Sequence, residues 1–232
     1  MTASAICRRA VLAAAAVLGF ASTPVQAGLV LSKVILDLKP DAPARDDIEL
    51  WNDGKERLYV AVEPAEVTDP GRASEGRHAS PDPAVTGLLV TPQKLVLEPD
   101  ERKLVRVAAV ADRPVQDRVY RVTIKPVAGP VTAEKTAIKV YIGYAVLVLY
   151  RPQVLDGTVT ARRNGRELVL HNAGNTNVEM AEGRQCDSAG TNCRELGANR
   201  LYPKADWTVA LPYDTPAQFN VHLGETVKKQ TF

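Results

Sequence analysis

Hydrophobic and polar positions along the chain alternate in short runs, a pattern typical of β-strands. Runs rich in Val, Ile, Leu and Tyr are separated by clusters of Asp, Gly, Pro and Asn, and no helical period after residue 28 exceeds two turns. The predicted strands before Pro152 are Leu29–Leu38, Asp47–Trp51, Leu58–Glu66, Leu88–Thr91, Lys94–Leu97, Lys103–Ala109, Val119–Pro126 and Ile138–Tyr150. Those after it are Thr158–Arg162, Glu167–His171, Asn177–Ala181, Arg200–Tyr202, Trp207–Leu211, Ala217–Leu223 and Thr226–Gln230.

The predicted strand Ile138–Tyr150 is unusually long and is apolar on both faces. It would extend about 40 Å at about 3.3 Å per residue, whereas most strands end after five or six residues. Two interpretations stay open. The strand is central and covered on both faces by the protein itself, or part of it buries against another molecule.

The chain divides at Arg151-Pro152, because a proline cannot donate to a strand ladder and stiffens the link. The sequence Leu-Trp-Asn-Asp-Gly at 50–54 is echoed by Leu-His-Asn-Ala-Gly at 170–174, where Asn and Gly suit the tight turn of a hairpin. This echo and the strand counts favour an all-β protein of two immunoglobulin-like sandwiches, residues 28–151 and 152–232, over a single large barrel.

The N-terminus has the pattern of a secretory signal peptide over residues 1–27. Arg8 and Arg9 precede an apolar run too short to be a membrane anchor, and cleavage is expected after Ala27. Cys7 lies before this run, which argues against a lipoprotein. The remaining chain carries 27 basic and 27 acidic residues. This balance predicts no nucleic-acid partner and no acidic substrate.

Residues that could carry catalysis are few and scattered. His78, His171 and His222 form no paired motif, and no nucleophile, phosphate-binding or calcium-binding signature is present. We therefore expect no enzyme activity, no catalytic residue, no metal ligand and no cofactor, although a copper or zinc site assembled across the fold stays open. Cys186 and Cys193, with six residues between them in an exported chain, favour a disulfide over a metal site.

Several segments, in order, resemble the periplasmic chaperones of the chaperone–usher pilus pathway. Residues 91–107 are similar to the family's "TP…L.PG…VR" signature, with Asp100 in place of the usual Gly and Gln93 where a second Pro is common. "DRVYRV" at 117–122 resembles the next family strand, and "YRP" at 150–152 the domain joint. Residues 170–174 and 202–211 match more weakly.

This resemblance implies two immunoglobulin-like domains set at an angle, with a cleft between them. The last strand of the first domain, here Ile138–Tyr150, would pair with a pilin subunit that lacks a strand, which is donor-strand complementation. The face from Tyr141 to Leu149 is expected to fill the chaperone's own core. Ile138, Val140 and Ile142 then protrude as a row at period two and fill the groove of the subunit.

The resemblance also implies roles for charged residues. The family holds the subunit's C-terminal carboxylate with two basic cleft residues. Lys33 falls at the first of these positions, but the second is Leu147 here, so Arg121 is the candidate substitute. Arg106 matches a family arginine that makes an interdomain ion pair, and Asp117 is its candidate acid. The Thr91-Pro92 bond is a candidate cis peptide.

The function favoured by these observations is a periplasmic, non-enzymatic chaperone that binds, folds and caps pilus subunits and delivers them to an outer-membrane usher. The chain could also bind a second copy of itself, as a self-capping homodimer. The alternative is a structural pilin or adhesin-like subunit, which should carry an N-terminal extension of alternating apolar residues before one incomplete domain. A metal- or sugar-binding secreted sandwich is a third class, and no group of residues in the sequence supports it.

Overall fold

The computed structural model describes residues 28–128 and 141–232, so the predicted signal peptide lies outside the described residues. These ranges contain eighteen strands and one short helix. The first group is β1 (Val30–Leu31), β2 (Ile35–Leu38), β3 (Arg45–Trp51), β4 (Leu58–Thr68), β5 (Gly76–Ala79), α1 (Pro83–Thr86), β6 (Leu88–Thr91), β7 (Lys94–Leu97), β8 (Arg102–Ala109), β9 (Arg118–Val127) and β10 (Tyr144–Tyr150). The second is β11 (Val159–Asn164), β12 (Glu167–Asn172), β13 (Val178–Cys186), β14 (Cys193–Glu195), β15 (Asn199–Leu201), β16 (Asp206–Ala210), β17 (Ala217–Leu223) and β18 (Thr226–Thr231).

The strands form four sheets, two on each side of Pro152. The first pair has the orders β1-β3-β8-β6 and β2-β10-β9-β4-β5, with β7 also paired to β4. The second pair has the orders β11-β12-β16 and β14-β13-β17-β18, with β15 also paired to β13. The predicted all-β architecture of two sandwiches is therefore confirmed. Among the described residues, no helix is long and apolar enough to cross a membrane.

Each pair of sheets encloses its own apolar core, as the alternating strands require. The first core includes Leu36, Ile48, Leu97 and Tyr120, all fully buried. The second includes Leu170, Met180 and Phe219, and it also contains residues of the first group of strands, namely Val67, Val119, Leu147 and Leu149. The two sandwiches therefore share an apolar contact through the outer face of the sheet that contains β9 and β10.

The predicted strand Leu29–Leu38 is in fact two strands in different sheets. β1 pairs with β3, whereas β2 pairs with β10, and the chain changes sheet at residues 32–34. Strand β5 was not predicted, because Gly76–Ala79 has no apolar alternation and is mostly exposed. The Thr91-Pro92 peptide bond is cis.

The echo at residues 50–54 and 170–174 marks the same corner in each sandwich, but not a hairpin. Asn52 is fully buried after β3, and its Nδ2 donates to the carbonyls of Glu56 (2.8 Å) and Leu97 (3.1 Å). Its Oδ1 accepts from the N–H of Gly54 at 3.1 Å. Because β3 and β4 belong to different sheets, the turn joins the two layers. The hairpin prediction is wrong at this point.

Asn172 repeats this arrangement in the second sandwich. Its Nδ2 donates to the carbonyls of Thr176 and Leu201, both at 2.9 Å, and its Oδ1 accepts from the N–H of Gly174 at 2.9 Å. Each asparagine thus satisfies three backbone groups at a buried corner, as buried polar groups require.

A second echo, not detected in the sequence, completes each corner. Leu-Glu-Pro-Asp at 97–100 corresponds to Leu-Tyr-Pro-Lys at 201–204. Asp100 and Lys204 have positive φ, at 61° and 65°, and their N–H groups donate to the main-chain carbonyls of Asn52 and Asn172, both at 2.9 Å. A positive φ favours glycine, which explains why the related chaperone signature has Gly where Asp100 stands.

Candidate functional site

Strand β10 is paired on both sides at its C-terminal end but on only one side at its beginning. It runs antiparallel to β9 over its whole length, from the Tyr144–Ile124 pair to the Tyr150–Arg118 pair. It runs parallel to β2 only from the Leu147–Ile35 pair onward, and the N–H of Leu147 donates to the carbonyl of Val34 at 2.9 Å. Within the described chain, no strand pairs with residues 144–146 on the β2 side. We call residues 141–146 the donor edge.

The two faces of β10 bury in different places. Val146, Val148 and Tyr150 lie in the first core, whereas Leu147 and Leu149 lie in the apolar cluster shared with the second sandwich. Leu147 and Leu149, on the Tyr141-to-Leu149 face, therefore do fill a core of this chain, but it is the cluster shared with the second sandwich and not the first core. Both faces of this strand are apolar because each face contacts a different core. A pattern of period two separates the two faces but cannot show which face contacts which core.

The predicted donated residues are described only in part. Ile138 and Val140 lie outside the described residues. Ile142 is 54% exposed and Tyr141 37%, and the chain from 141 to 143 is not part of a strand. The described strand therefore begins at Tyr144 rather than Ile138. The side chain of Ile142 remains available for burial against a partner.

An arginine at the domain joint holds the two sandwiches together. Arg151 is 3% exposed and follows β10 directly. Its Nε and Nη2 donate to the two carboxylate oxygens of Asp37 at 2.7 and 3.1 Å. Its Nη1 donates to Thr176 Oγ1 at 2.8 Å, to the Asn177 carbonyl at 3.3 Å and to Asp117 Oδ2 at 3.4 Å.

Asp117 is the second buried charge of this joint network, which comprises Asp37, Asp117, Arg151, Thr176 and Asn177. Its Oδ1 accepts from Thr176 Oγ1 at 2.6 Å, and its Oδ2 accepts from the N–H and Nδ2 of Asn177 at 2.7 and 2.5 Å. Burial raises the pKa of the Asp117 carboxyl, although Arg151 and these donors act in the opposite direction. The network links both sandwiches through side chains that are buried, except that Asp37 is partly exposed.

The predicted pair of Arg106 with Asp117 is not formed. The Nε and Nη2 of Arg106 donate to the carboxylate of Asp47 at 2.8 and 2.7 Å. Asp47 on β3 lies directly opposite Arg106 on β8, so a short cross-strand ion pair forms on the outer face of the sheet. Arg106 lowers the pKa of the Asp47 carboxyl through this hydrogen bond.

Sequence reasoning missed Arg151 as the partner of Asp117. The available signal was an arginine directly after five buried β10 residues and directly before Pro152. A charged side chain there cannot reach solvent easily and needs a buried acid.

Arg121 lies beside the donor edge in a cavity between the two sandwiches. It is directly opposite Leu147 on the neighbouring strand, and its Nη1 approaches the carbonyl of Ala145 at 3.4 Å. The cavity, of about 280 Å³, is also lined by Glu75, Arg200 and Tyr202. Arg121 forms no ion pair with the described residues. Burial raises the pKa of Tyr202, and Arg121 and Arg200 oppose this shift.

Lys33, the other candidate for the carboxylate anchor, already forms an ion pair within the chain. Its Nζ lies 2.9 Å from both carboxylate oxygens of Asp46. Leu147, at the family's second basic position, is 4% exposed within the apolar cluster shared by the two sandwiches. A lysine in its place would bury an unpaired ammonium there, which explains the apolar residue.

The predicted disulfide is confirmed. Cys186 at the end of β13 and Cys193 at the start of β14 are directly opposite each other and covalently joined. The bond closes a hairpin at the edge of the second sandwich, away from the donor edge.

Comparisons with known proteins agree with this geometry. No protein-family model matches the chain. An Escherichia coli protein that carries the name of a CFA/I fimbrial subunit is 26% identical over 168 residues, which is 68% of this chain and 70% of that protein.

Two solved structures are similar over 88% of this chain. The class 5 fimbriae chaperone CfaA has a TM-score of 0.67 at 23% identity, with 98% of that chain covered. A chain of a chaperone–tip adhesin complex of CFA/I fimbriae biogenesis has a TM-score of 0.64 at 24% identity, with 97% covered. The protein thus has the two-domain fold of the fimbrial chaperones. The resemblance recognised in its sequence is confirmed at the level of fold.

Proposed function

We propose that the protein is a periplasmic chaperone that binds, folds and caps fimbrial subunits by donating its β10 edge, and delivers them to an outer-membrane usher. One observation carries the proposal. β2 covers β10 only from Leu147 onward, so the backbone of residues 144–146 is open to another strand. Its side chains are apolar or small and include none of the Lys or Pro residues that normally protect an exposed edge.

A strand added to this edge would lie in line with β2. The free stretch ends where the Leu147 N–H meets the Val34 carbonyl, so the incoming strand must end or turn there. Main-chain hydrogen bonds would fix its register. Full burial of an isoleucine side chain contributes about 1.5–3 kcal/mol, and Ile142 still exposes about half of its surface.

The end of this stretch is also where a C-terminal carboxylate would bind. Arg121 projects from β9 on the face of Leu147 and has no acidic partner among the described residues, whereas Lys33 would have to leave Asp46. We therefore favour Arg121 over Lys33 as the anchor, because a guanidinium can hold a carboxylate with two parallel bonds. Residues 1–27, as a signal peptide, would direct the chain to the periplasm.

When no subunit is bound, the same apolar edge needs protection from aggregation. We propose that two copies of the chain then cover each other's donor edge in a self-capping dimer. Sedimentation of the free protein against concentration tests this dimer, and addition of the subunit should dissociate it.

The central experiment is co-expression with the candidate subunit encoded by a neighbouring gene. Ile142→Asp should leave the protein folded but prevent recovery of the subunit. Val227→Asp is the matched control, because Val227 is similarly exposed (51%) on β18 of the second sandwich. Equal recovery with both variants would contradict strand donation.

The second candidate function is a structural fimbrial subunit, which the name of the E. coli relative favours. Two complete-looking sandwiches and an open edge formed by an internal strand favour the chaperone. Purification of the protein and of the fibres distinguishes the two functions. A chaperone is recovered in a one-to-one periplasmic complex and is absent from purified fibres, whereas a fimbrial subunit is incorporated into them.

A further inference from the structure

The loop between β4 and β5, residues 69–75, is held together by its own hydrogen bonds. Asp69 has a positive φ of 49°, and its two carboxylate oxygens accept from Arg72 Nη1 at 2.9 Å and from Ser74 Oγ at 3.0 Å. The N–H of Gly71 donates to Glu75 Oε2 at 2.9 Å. Because these bonds cross the loop, a push on one of its residues is resisted by the loop as a whole.

Gly71 in this loop lies against the second sandwich. A Cβ placed on Gly71 would lie 3.2 Å from Tyr202 Cδ2 and 3.7 Å from the Cβ of Ala205. The two contacted residues are 8% and 2% exposed. Gly71 also has a φ of 75°, which favours glycine. The backbone conformation and the close approach therefore both require a residue without a side chain.

The surface that Gly71 contacts is the buried corner of the second sandwich. The N–H of Asn172 donates to the carbonyl of Ala205 at 3.2 Å, and the N–H of Ala205 donates to the carbonyl of Tyr202 at 3.0 Å. Asn172 Nδ2 donates to the carbonyl of Leu201 at 2.9 Å. Each side of the contact is thus fixed within its own sandwich.

The loop contact lies to one side of the joint network. β4 and β10 run in the same direction on either side of β9, where Val67 and Leu149 are both opposite Val119. Neighbouring strands are about 4.8 Å apart, so the loop leaves β4 roughly 10 Å from the point where β10 leads into Arg151. A single contact would allow rotation about itself, whereas two separated contacts fix the angle between the sandwiches.

The cavity that contains Arg121 lies beside this loop contact. Gly71 and Glu75 line it from the loop, and Arg200 and Tyr202 line it from the second sandwich. Its width therefore depends on how closely Gly71 approaches Tyr202. A narrow cavity excludes water, and an ion pair is stronger where water is excluded.

We propose that residues 69–75 form a spacer that sets the angle between the sandwiches and the width of the Arg121 cavity, with Gly71 as its positioning residue. The effect of the spacer on the bound carboxylate rests on the proposed function. The angle itself is a property of the free protein.

The test is Gly71→Asn, because asparagine tolerates a positive φ and its side chain would press on Tyr202. Gly190→Asn is the matched control, since Gly190 has a φ of 71° and no described atom lies within 4 Å of a Cβ placed there. Gly71→Ala introduces a smaller side chain, should the asparagine variant not fold. Residual dipolar couplings of the free protein measure the angle, and titration with the purified subunit of the co-expression experiment measures affinity.

Gly71→Asn should change the angle by roughly 5°, because a displacement of about 1 Å would act about 10 Å from the joint. The affinity for the subunit should fall roughly two- to ten-fold and become more sensitive to salt, because water that enters the cavity weakens the ion pair with Arg121. In an Arg121→Ala background, Gly71→Asn should cause no further loss. Gly190→Asn should leave the angle and the affinity as in the wild type.

An unchanged angle in Gly71→Asn would overturn the spacer. A changed angle with an unchanged affinity, or with an affinity loss that persists in the Arg121→Ala background, would overturn its action on the Arg121 cavity. Failure of the wild-type protein to bind any fimbrial subunit would instead overturn the proposed function. The angle in the free protein would still decide whether the loop is a spacer.

Discussion

The two sandwiches close their corners in the same way and treat their last strands in opposite ways. Asn52 and Asn172 make equivalent hydrogen bonds, and Asp100 and Lys204 adopt the same positive φ beside them. The last strand of the second sandwich, β18, is an exposed edge that carries Lys228 and Lys229. Lysines on an edge oppose the addition of another strand.

Strand β10, the last of the first sandwich, has no such protection at its beginning. Its C-terminal half is buried between β9 and β2, and residues 141–146 carry no charge. The shared corners keep both domains stable, whereas the unprotected edge distinguishes the first domain. The comparison indicates that the open edge is a feature of this domain alone and not a general property of the fold.

The largest effect is expected where the two sandwiches meet. Arg151→Met should destabilise the protein by about 3–5 kcal/mol, because it leaves the buried Asp117 carboxylate without its cation. The chain has one tryptophan in each sandwich, Trp51 and Trp207, so urea unfolding of single-tryptophan variants follows each domain separately. The two transitions should move apart in the variant. Arg162→Met, at an exposed position, is the control, and equal behaviour of the two variants would disprove the role of the joint network.

The next largest effect should come from the corners. Asn52→Ala and Asn172→Ala should each cost about 2–3 kcal/mol, because each variant leaves two main-chain carbonyls without their donor, one of them buried near Asn52 and both buried near Asn172. The loss should appear in the Trp51 signal for Asn52→Ala and in the Trp207 signal for Asn172→Ala. A large loss in one domain and none in the other would show that the corners are not equivalent.

A smaller effect is expected on subunit binding at the cavity between the domains. Arg121→Ala should weaken binding by about 1.5–3 kcal/mol, the range for a charge-assisted hydrogen bond. Lys33→Ala should weaken it less, since Lys33 is bound to Asp46. Titration of each variant with purified subunit measures both values. Undiminished binding in both variants would contradict the hypothesis that either residue anchors the subunit's C-terminal carboxylate.

The smallest effect is expected for Arg106→Ala. Its ion pair with Asp47 is on the exposed face of the first sandwich, and such pairs contribute about 0–1 kcal/mol. The coupling between the Trp51 and Trp207 transitions should not change. If the Trp51 and Trp207 transitions instead moved apart in this variant, Arg106 would have a role in coupling the two domains.

The sequence predicts most of the fold because the core strands alternate regularly. β3, β4 and β17 bury alternate residues over part or most of their length, so the alternation of apolar residues reveals these strands in the sequence. The pattern fails where both faces are buried. In β10 it cannot show that Val146 and Val148 face the first core while Leu147 faces the second sandwich.

The site was harder to predict than the fold, because it depends on strand register. Arg106 was given the wrong partner since its acid, Asp47, is 59 residues away on the strand opposite. Arg151 was not matched with Asp117 because the two residues are 34 positions apart and meet only in the folded domain joint.

Amide hydrogen exchange at Ala145 tests the central claim most directly. The N–H of Ala145 faces the same side of β10 as the N–H of Leu147, which donates to Val34. Ala145 lies before the first β2–β10 pair, so β2 offers its N–H no partner. Lys229 is the matched control, since its N–H faces outward from β18 by the register that joins Ala217 and Phe232. On addition of the subunit, exchange at Ala145 should slow at least about tenfold while Lys229 is unchanged. Equal exchange at Ala145 with and without bound subunit would contradict strand donation.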